Sequence, residues 1–286
     1  MASWKHGAPK VAYVSGGGSG IGLTIARELI ADGASIAIFD LKVADEILTE
    51  LRQRYVGAQQ SVRVYLVDIT DPIAVEYAMD SAAAELGAPD LAFNSAGILR
   101  TDVFTDMSFE TYELVVRINL IGSRNFAAGV LKYMGSGGHL VLVASMAGIV
   151  GTYTQAAYSS SKFGVVGLAE VLRLEQKLQG IDVSVVCPGE IETPLLVYER
   201  EHGNPITESL NKIAGVITVD QAVAGIMKGL KKRQYMITPG FRANVLRFVA
   251  RKMPGLFHWI VDSALAKAHT AHAKKSGVAN PPKDRP

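Results

Sequence analysis

Apolar residues fall along this chain in two alternating patterns. Short, nearly unbroken runs rich in Val, Ile and Leu occur at Val11–Ser15, Ser35–Asp40, Val62–Asp68, Leu91–Asn94, His139–Ser145 and Val183–Cys187. Such runs suit parallel strands buried on both faces. Between them, apolar positions recur at helical spacing near Ile21–Asp32, Ala44–Tyr55, Ile73–Leu86, Phe109–Tyr133 and Tyr153–Gln179. Asp71-Pro72 supplies an N-cap residue and then a proline at the first helical position. Thr218-Val219-Asp220-Gln221 has the form of a capping box for a helix reaching Lys231, and Tyr235–Thr238 reads as a further strand. Strand–helix alternation of this kind predicts an α/β fold, a doubly wound parallel sheet with right-handed crossovers, in one domain over 1–240.

The pattern changes after Gly240. Phe241–Ala268 interleaves Phe241, Val245, Leu246, Phe248, Val249, Leu256, Phe257, Trp259, Ile260, Val261 and Leu265 with Arg242, Arg247, Arg251, Lys252 and Lys267. Pro254-Gly255 should divide it into two helices. A basic amphipathic extension over 241–273 can lie in a membrane interface, cover a substrate mouth or seal a subunit seam. The lid-or-seam reading is the simpler, because burying apolar side chains on protein requires no lipid. Residues 274–286 are polar and proline-bearing and are expected to lack fixed structure.

The 286 residues carry a net charge of +2, which gives no argument for nucleic acid. Cys187 is the only cysteine, so an intramolecular disulfide is impossible and a reducing compartment is expected. Met1 to Lys10 lack the apolar core of a signal peptide. No stretch approaches the roughly 18 uncharged apolar residues of a spanning helix. A cytoplasmic protein is expected, with a peripheral membrane contact through 241–268 left open.

The candidate chemistry begins at the first strand–helix junction, Ser15-Gly16-Gly17-Gly18-Ser19-Gly20-Ile21-Gly22. Glycines let backbone approach a pyrophosphate, and a helix N-terminus offers amides and the positive end of its dipole. A glycine cluster alone could be only a tight turn; its place at a first strand–helix junction favours a nucleotide site. Asp40 ends the second run, where a carboxylate can accept from a ribose 2′-hydroxyl and repel a 2′-phosphate. That favours NAD over NADP, although Lys42 is near enough to weaken the argument. Asp68 ends the third run, where it could receive an adenine amino group or serve only as a turn aspartate.

Tyr158 and Lys162 stand at i and i+4, one helical turn apart, thirteen residues beyond Ser145 at the end of an apolar run. A cation beside a phenol favours phenolate and so suits proton transfer near neutral pH.

With Asn94-Ser95-Ala96-Gly97, Asn119 and Pro188-Gly189 followed by Thr193, these motifs make the chain resemble the short-chain dehydrogenases/reductases (SDR) over Lys10 to Gly240. Ser15 stands where Thr is common and Ser95 where a second Asn is usual. The resemblance implies a seven-stranded sheet of Rossmann type with the nicotinamide over the carboxyl ends of the strands. It implies that Tyr158 is the general acid/base, Lys162 holds the nicotinamide ribose and depresses the phenol pKa, Ser145 binds the substrate oxygen, and Asn119 holds a relaying water. It also implies cofactor contacts at Gly16, Ser19, Gly20, Ile21, Gly22, Asp40, Asp68, Ile69, Asn94, Ala96, Gly97, Pro188, Gly189, Ile191 and Thr193, with Tyr158 and Lys162.

The expected function is NAD(P)-dependent interconversion of a secondary alcohol and a ketone. The pocket is expected to be walled by Leu99 to Phe104, by Met146, Ile149, Val150 and Tyr153, and by the segment from Leu195 to Ile217, including Leu196 and Val197. These residues are mostly apolar, which suits a steroid-like or long-chain lipid substrate. From Tyr198 to Gly240 the spacing is similar to that of 3-ketosphinganine reductases, an NADPH-using branch from which Asp40 departs. That leaves two alternatives, an NADPH enzyme of this kind or a catalytically silent dinucleotide-binding protein. The family resemblance implies a homodimer or homotetramer, with Val115, Phe126, Val130, Phe163, Val166 and Leu174 as candidate outer-face residues.

Overall fold

A computed structural model describes residues 3–211 and 215–276. Seven strands form one parallel sheet: β1 (Val11–Ser15), β2 (Ser35–Asp40), β3 (Val62–Leu66), β4 (Leu91–Asn94), β5 (His139–Val143), β6 (Asp182–Val186) and β9 (Met236–Ile237). β7 (Glu190–Ile191) and β8 (Val216–Ile217) form a separate two-stranded ladder. The main order is β3-β2-β1-β4-β5-β6-β9, so the winding reverses between β1 and β4. A reversal of this kind opens a crevice at the carboxyl ends of the strands.

Alternate strand residues feed opposite layers, as the twofold period of a strand requires. Ala12, Val14, Ile36, Ile38 and Phe93 pack with Leu23, Ile25 and Leu29 of α1 (Gly20–Ala31), Leu51 of α2 (Asp45–Gln53) and Val223, Ile226 and Leu230 of α9 (Val219–Lys231). Tyr13, Ala37, Phe39, Leu140 and Val185 face the other way. They meet Val75 and Met79 of α3 (Pro72–Leu86), Phe126 and Val130 of α5 (Gly122–Leu131), and Val165 and Ala169 of α6 (Ala156–Lys177). The Asp71 cap accepts from the amides of Ile73 and Ala74, and the capping box at Thr218 and Gln221 is complete.

Four features differ from the sequence reading. β3 ends at Leu66 and β5 at Val143: Val67 and Ala144 keep one backbone bond each to the neighbouring strand, and Asp68 and Ser145 lie beyond it. The long helix expected from Phe109 consists of α4 (Phe109–Val116) and α5 joined by a π-turn at Arg117–Ile121. α6 starts at Ala156, not Tyr153, because Thr154 sits in the left-handed region at φ 61°, which no helix continues through. The run 109–131 also has the length and composition to cross a membrane, contrary to the count of uncharged residues, but half of its most apolar window is buried within this fold.

The helices after the sheet are α7 (Pro194–His202), α8 (Pro205–Asn211), α10 (Phe241–Lys252) and α11 (Pro254–Ser276). The chain turns between the last two at Met253, and α11 lies against α8 and α10. Of the tail expected to lack fixed structure, 274–276 close α11 and 277–286 lie outside the described residues. Val115, Phe126, Val130 and Val166, expected on outer helix faces, are instead buried in the core. The outward apolar residues on these helices include Phe109, Leu114, Ile121, Phe163, Val171 and Leu174. Helical spacing gives the wrong phase here because both faces of each helix are apolar, and the π-turn adds a residue that 3.6-residue spacing does not count.

Candidate active site

One cavity of about 710 Å³ runs along the carboxyl ends of the strands at the winding reversal. Its floor begins at the turn between β1 and α1. Gly16 has φ +67°, and a Cβ there would stand 2.7 Å from the Ala96 nitrogen; at Gly22 it would stand 2.2 Å from the Gly16 oxygen. Only glycine permits approaches this close. Ser19 is the N-cap of α1 but makes no side-chain cap bond, and Ser19, Gly20, Ile21 and Gly22 all line the cavity. A helix N-terminus left open toward a cavity in this way fits a diphosphate.

Asp40 projects from the end of β2 into the same cavity. Its Oδ2 accepts from the Gly18 amide at 2.9 Å and its Oδ1 from the Leu41 amide at 2.8 Å. Asp68 accepts from the Thr70 amide at 2.8 Å. Ile69, Ala96, Gly97, Pro188, Gly189, Ile191 and Thr193, expected as cofactor contacts, also line the cavity. Among the described residues lining the cavity, Lys162 is the only basic side chain.

Asn94 does not join them. It is buried behind the wall, accepting from Ser15 Oγ at 2.7 Å and donating to Ser123 Oγ at 2.8 Å. It ties β1, β4 and α5 together, and the cofactor contact expected of it is corrected to a supporting role. Sequence order identifies the segment but does not say which of its side chains turns inward.

Tyr158, Ser145 and Lys162 meet at the centre of the cavity wall. The Ser145 hydroxyl hydrogen-bonds the Tyr158 phenol and accepts from the Ala147 amide at 3.1 Å. Lys162 Nζ donates to the Val143 carbonyl at 2.9 Å and lies 5.7 Å from the centre of the Tyr158 ring. Asn119 sits within the π-turn and is fully buried. Its Oδ1 accepts from the Ile98 amide at 2.8 Å, while its Nδ2 donates to the Ile98 carbonyl at 2.9 Å and to Ser161 Oγ at 3.0 Å. The side-chain amide thus pins the strand-end loop to the two helices that carry the site.

Burial pushes the Tyr158 phenol up to about 12; the Ser145 hydrogen bond opposes this and the nearby Glu199 charge adds to it. Burial also brings Lys162 down to about 8. The expectation that Lys162 depresses the phenol pKa is therefore not met in this state. Burial dominates the phenol, and the Lys162 ammonium is turned to the Val143 carbonyl. A phenol so held is a proton donor at neutral pH.

The substrate side contains residues that the sequence pattern does not single out. Gln155 is buried and donates to Glu199 at 2.6 Å, and both line the cavity. Leu210 of α8, Leu246 of α10 and Phe257, Ile260, Val261 and Leu265 of α11 form its roof. Leu99, Met146, Val150, Tyr153, Leu195 and Leu196 line it as expected, whereas Ile149, Val197 and Arg100 to Phe104 do not. The apolar pattern of 241–268 is visible in the sequence, but not which face of α11 turns inward.

The Lys162 shift carries a stability consequence. Its folded pKa lies below its usual 10.5, so from about pH 8 to 10.5 the unfolded chain binds more protons and this group's contribution to stability rises with pH. Lys162→Met removes the buried cation. It is expected to unfold at higher denaturant than the wild type at pH 7, by roughly 1–3 kcal/mol, with the gap closing toward high pH. Denaturant titrations across that range check the sign; a variant less stable at pH 7 would refute the reading.

Comparison with known proteins agrees with this geometry. The short chain dehydrogenase family model matches residues 10–204. The 3-ketodihydrosphingosine reductase of Bos taurus is 33% identical over 221 residues, covering 75% of this chain and 66% of its own length. A short chain dehydrogenase from Mycobacterium paratuberculosis bound to NAD superposes with a TM-score of 0.72 at 23% identity, covering 80% of this chain and 96% of that one. A single-residue variant of actinorhodin polyketide ketoreductase with NADPH gives a TM-score of 0.69 at 29% identity, covering 80% and 95%. With a matching family model across two thirds of its length, this chain belongs to the short-chain dehydrogenase/reductase family of oxidoreductases.

Proposed function

We propose that this enzyme interconverts a secondary alcohol and a ketone on an apolar, steroid-like or long-chain substrate, using NAD(H). The observation that carries the substrate class is the cavity roof. Leu246, Phe257, Ile260, Val261 and Leu265 enclose the space above Ser145 and Tyr158 with side chains that offer no polar group. The fixed carboxylate of Asp40, with no basic residue beside it on the cavity wall, supports NAD over NADP.

A bound nicotinamide cofactor would supply or accept the hydride. Ser145 orients the substrate oxygen, and Tyr158 delivers the proton to it as the carbonyl is reduced. The raised pKa keeps that proton on the phenol until negative charge develops on the oxygen. Lys162 would hold the nicotinamide ribose of a bound cofactor, and it keeps positive charge beside the phenol as the proton leaves. Asn119 fixes the loop at Ile98 and the helix at Ser161, so the reacting groups need little rearrangement.

A second reading rests on the likeness to the cattle 3-ketodihydrosphingosine reductase: reduction of a 3-keto long-chain lipid with NADPH. Asp40 opposes its cofactor, not its substrate. The buried Cys187 thiol accords with a reducing, cytoplasmic setting.

Tyr158→Phe removes the proton donor and little surface. Turnover should fall about a hundred- to ten-thousandfold while dinucleotide binding, followed by fluorescence titration, is retained. Survival of more than about a tenth of wild-type kcat would refute the assignment.

For cofactor choice, parallel kcat/KM measurements should favour NADH over NADPH in the wild type. In Asp40→Ala the preference should narrow by roughly tenfold, the weight of one like-charge contact near a protein surface. A wild type that prefers NADPH would overturn the NAD reading.

For assembly, we propose a homodimer or homotetramer sealed by the exposed apolar residues on α4 and α6, Leu114, Phe163, Val171 and Leu174 among them. Phe163→Glu with Leu174→Glu should then shift sedimentation to the monomer. A wild type that sediments as a monomer at micromolar concentration would count against it.

A further inference from the structure

We infer that the outward face of α10 and α11 docks on an anionic lipid bilayer, so that the helices roofing the substrate cavity are also its contact with the membrane. On α10, Phe241, Val245 and Phe248 recur at i, i+4 and i+7 and are 83%, 45% and 60% exposed. Past the turn, Met253, Leu256 and Trp259 are exposed as well, Trp259 at 66%. Their helix-mates Leu246, Phe257 and Ile260 point the other way, into the cavity. Each helix is therefore apolar on two sides, one committed to the cavity and one to solvent.

Charge identifies the occupant of the outward side. From Phe241 onward the sequence has nine basic and two acidic residues, out of 29 and 27 in the whole chain. The body before it is left with 20 and 25, so a near-neutral protein is divided into an acidic catalytic body and a basic extension. Arg242, Arg251 and Lys252 are exposed along the apolar row, and Asp262 is the only acid in α10 and α11. Spaced aromatics with flanking arginine and lysine suit the headgroup boundary of an anionic bilayer, while the acidic body is repelled from it. That sets the molecule with α10–α11 toward the lipid. The route this opens for an apolar substrate, from bilayer to cavity past the roof, rests on the substrate class proposed above. The docking itself does not.

The test uses the full chain and needs no turnover. Trp4 and Trp259 are the only tryptophans, so Trp4→Phe leaves Trp259 as the sole tryptophan fluorophore. Vesicles of phosphatidylcholine with phosphatidylserine should shift its emission to the blue and co-sediment with the protein, and added salt should reverse both. Phosphatidylcholine alone should do so weakly. Phe241→Ser with Phe248→Ser, neither of which lines the cavity, should weaken binding by about a hundredfold. Arg251→Gln with Lys252→Gln should weaken it by on the order of tenfold at low salt. No shift and no co-sedimentation with anionic vesicles would overturn the inference. So would dissociation of a dimer by the Phe241, Phe248 pair with vesicles ignored, which would give the face to a second copy of the chain. If binding holds but no apolar ketone is turned over, the substrate reading fails and the docking stands.

Discussion

The site depends on a cation held out of water. Lys162 is almost fully buried, and its ammonium donates to a main-chain carbonyl of β5. Removing such a charge from water costs several kcal/mol even after relaxation, so the surrounding packing must hold it in place. α6 is pressed against the turn after β5 so closely that a Cβ on Gly148 would stand 2.6 Å from the Lys162 carbonyl oxygen. On its other side the π-turn brings Asn119 to the helix through Ser161. Strand, turn and two helices are thus locked around one ammonium, and the phenol one turn earlier takes its position from the same packing.

How much of this the sequence reveals follows from what each segment buries. β1, β2 and β4 are sandwiched between helix layers and leave unbroken apolar runs, so their limits are legible. β3 and β5 run on in sequence because Val67, Ala144 and Ser145 remain small or apolar, yet those residues stand past the strand ends and line the cavity. A hydrophobicity pattern does not distinguish burial under a helix from burial beside a ligand.

The candidate catalytic residues are legible because the proposed chemistry asks for a fixed spacing, and the structure brings them to one cavity. Tyr158 and Lys162 must share a helix face, and Ser145 must end a neighbouring strand. The roof is not legible in the same way. α7, α8 and the β7–β8 ladder are short and of mixed polarity, and α11 is apolar on more than one side, so periodicity does not choose the face that closes the cavity. Asn94 and the four misassigned outer-face residues fail for a related reason. A buried side chain looks the same in sequence whether it supports a site, fills the core or meets another molecule.

Asp40 would join the proposed cofactor preference to local folding. The carboxylate that faces the cavity also accepts from three amides, Gly18 in the glycine turn and Leu41 and Lys42 just past the strand's end. Removing it leaves three donors without this acceptor, one of them in the glycine turn that lines the cavity. If the proposed NAD preference holds, turning the enzyme toward a 2′-phosphorylated cofactor is a problem of rebuilding a loop as well as changing a charge. A replacement that restores acceptors for these amides would have to come together with any new arginine, and single substitutions at this position should trade affinity for both cofactors against preference between them.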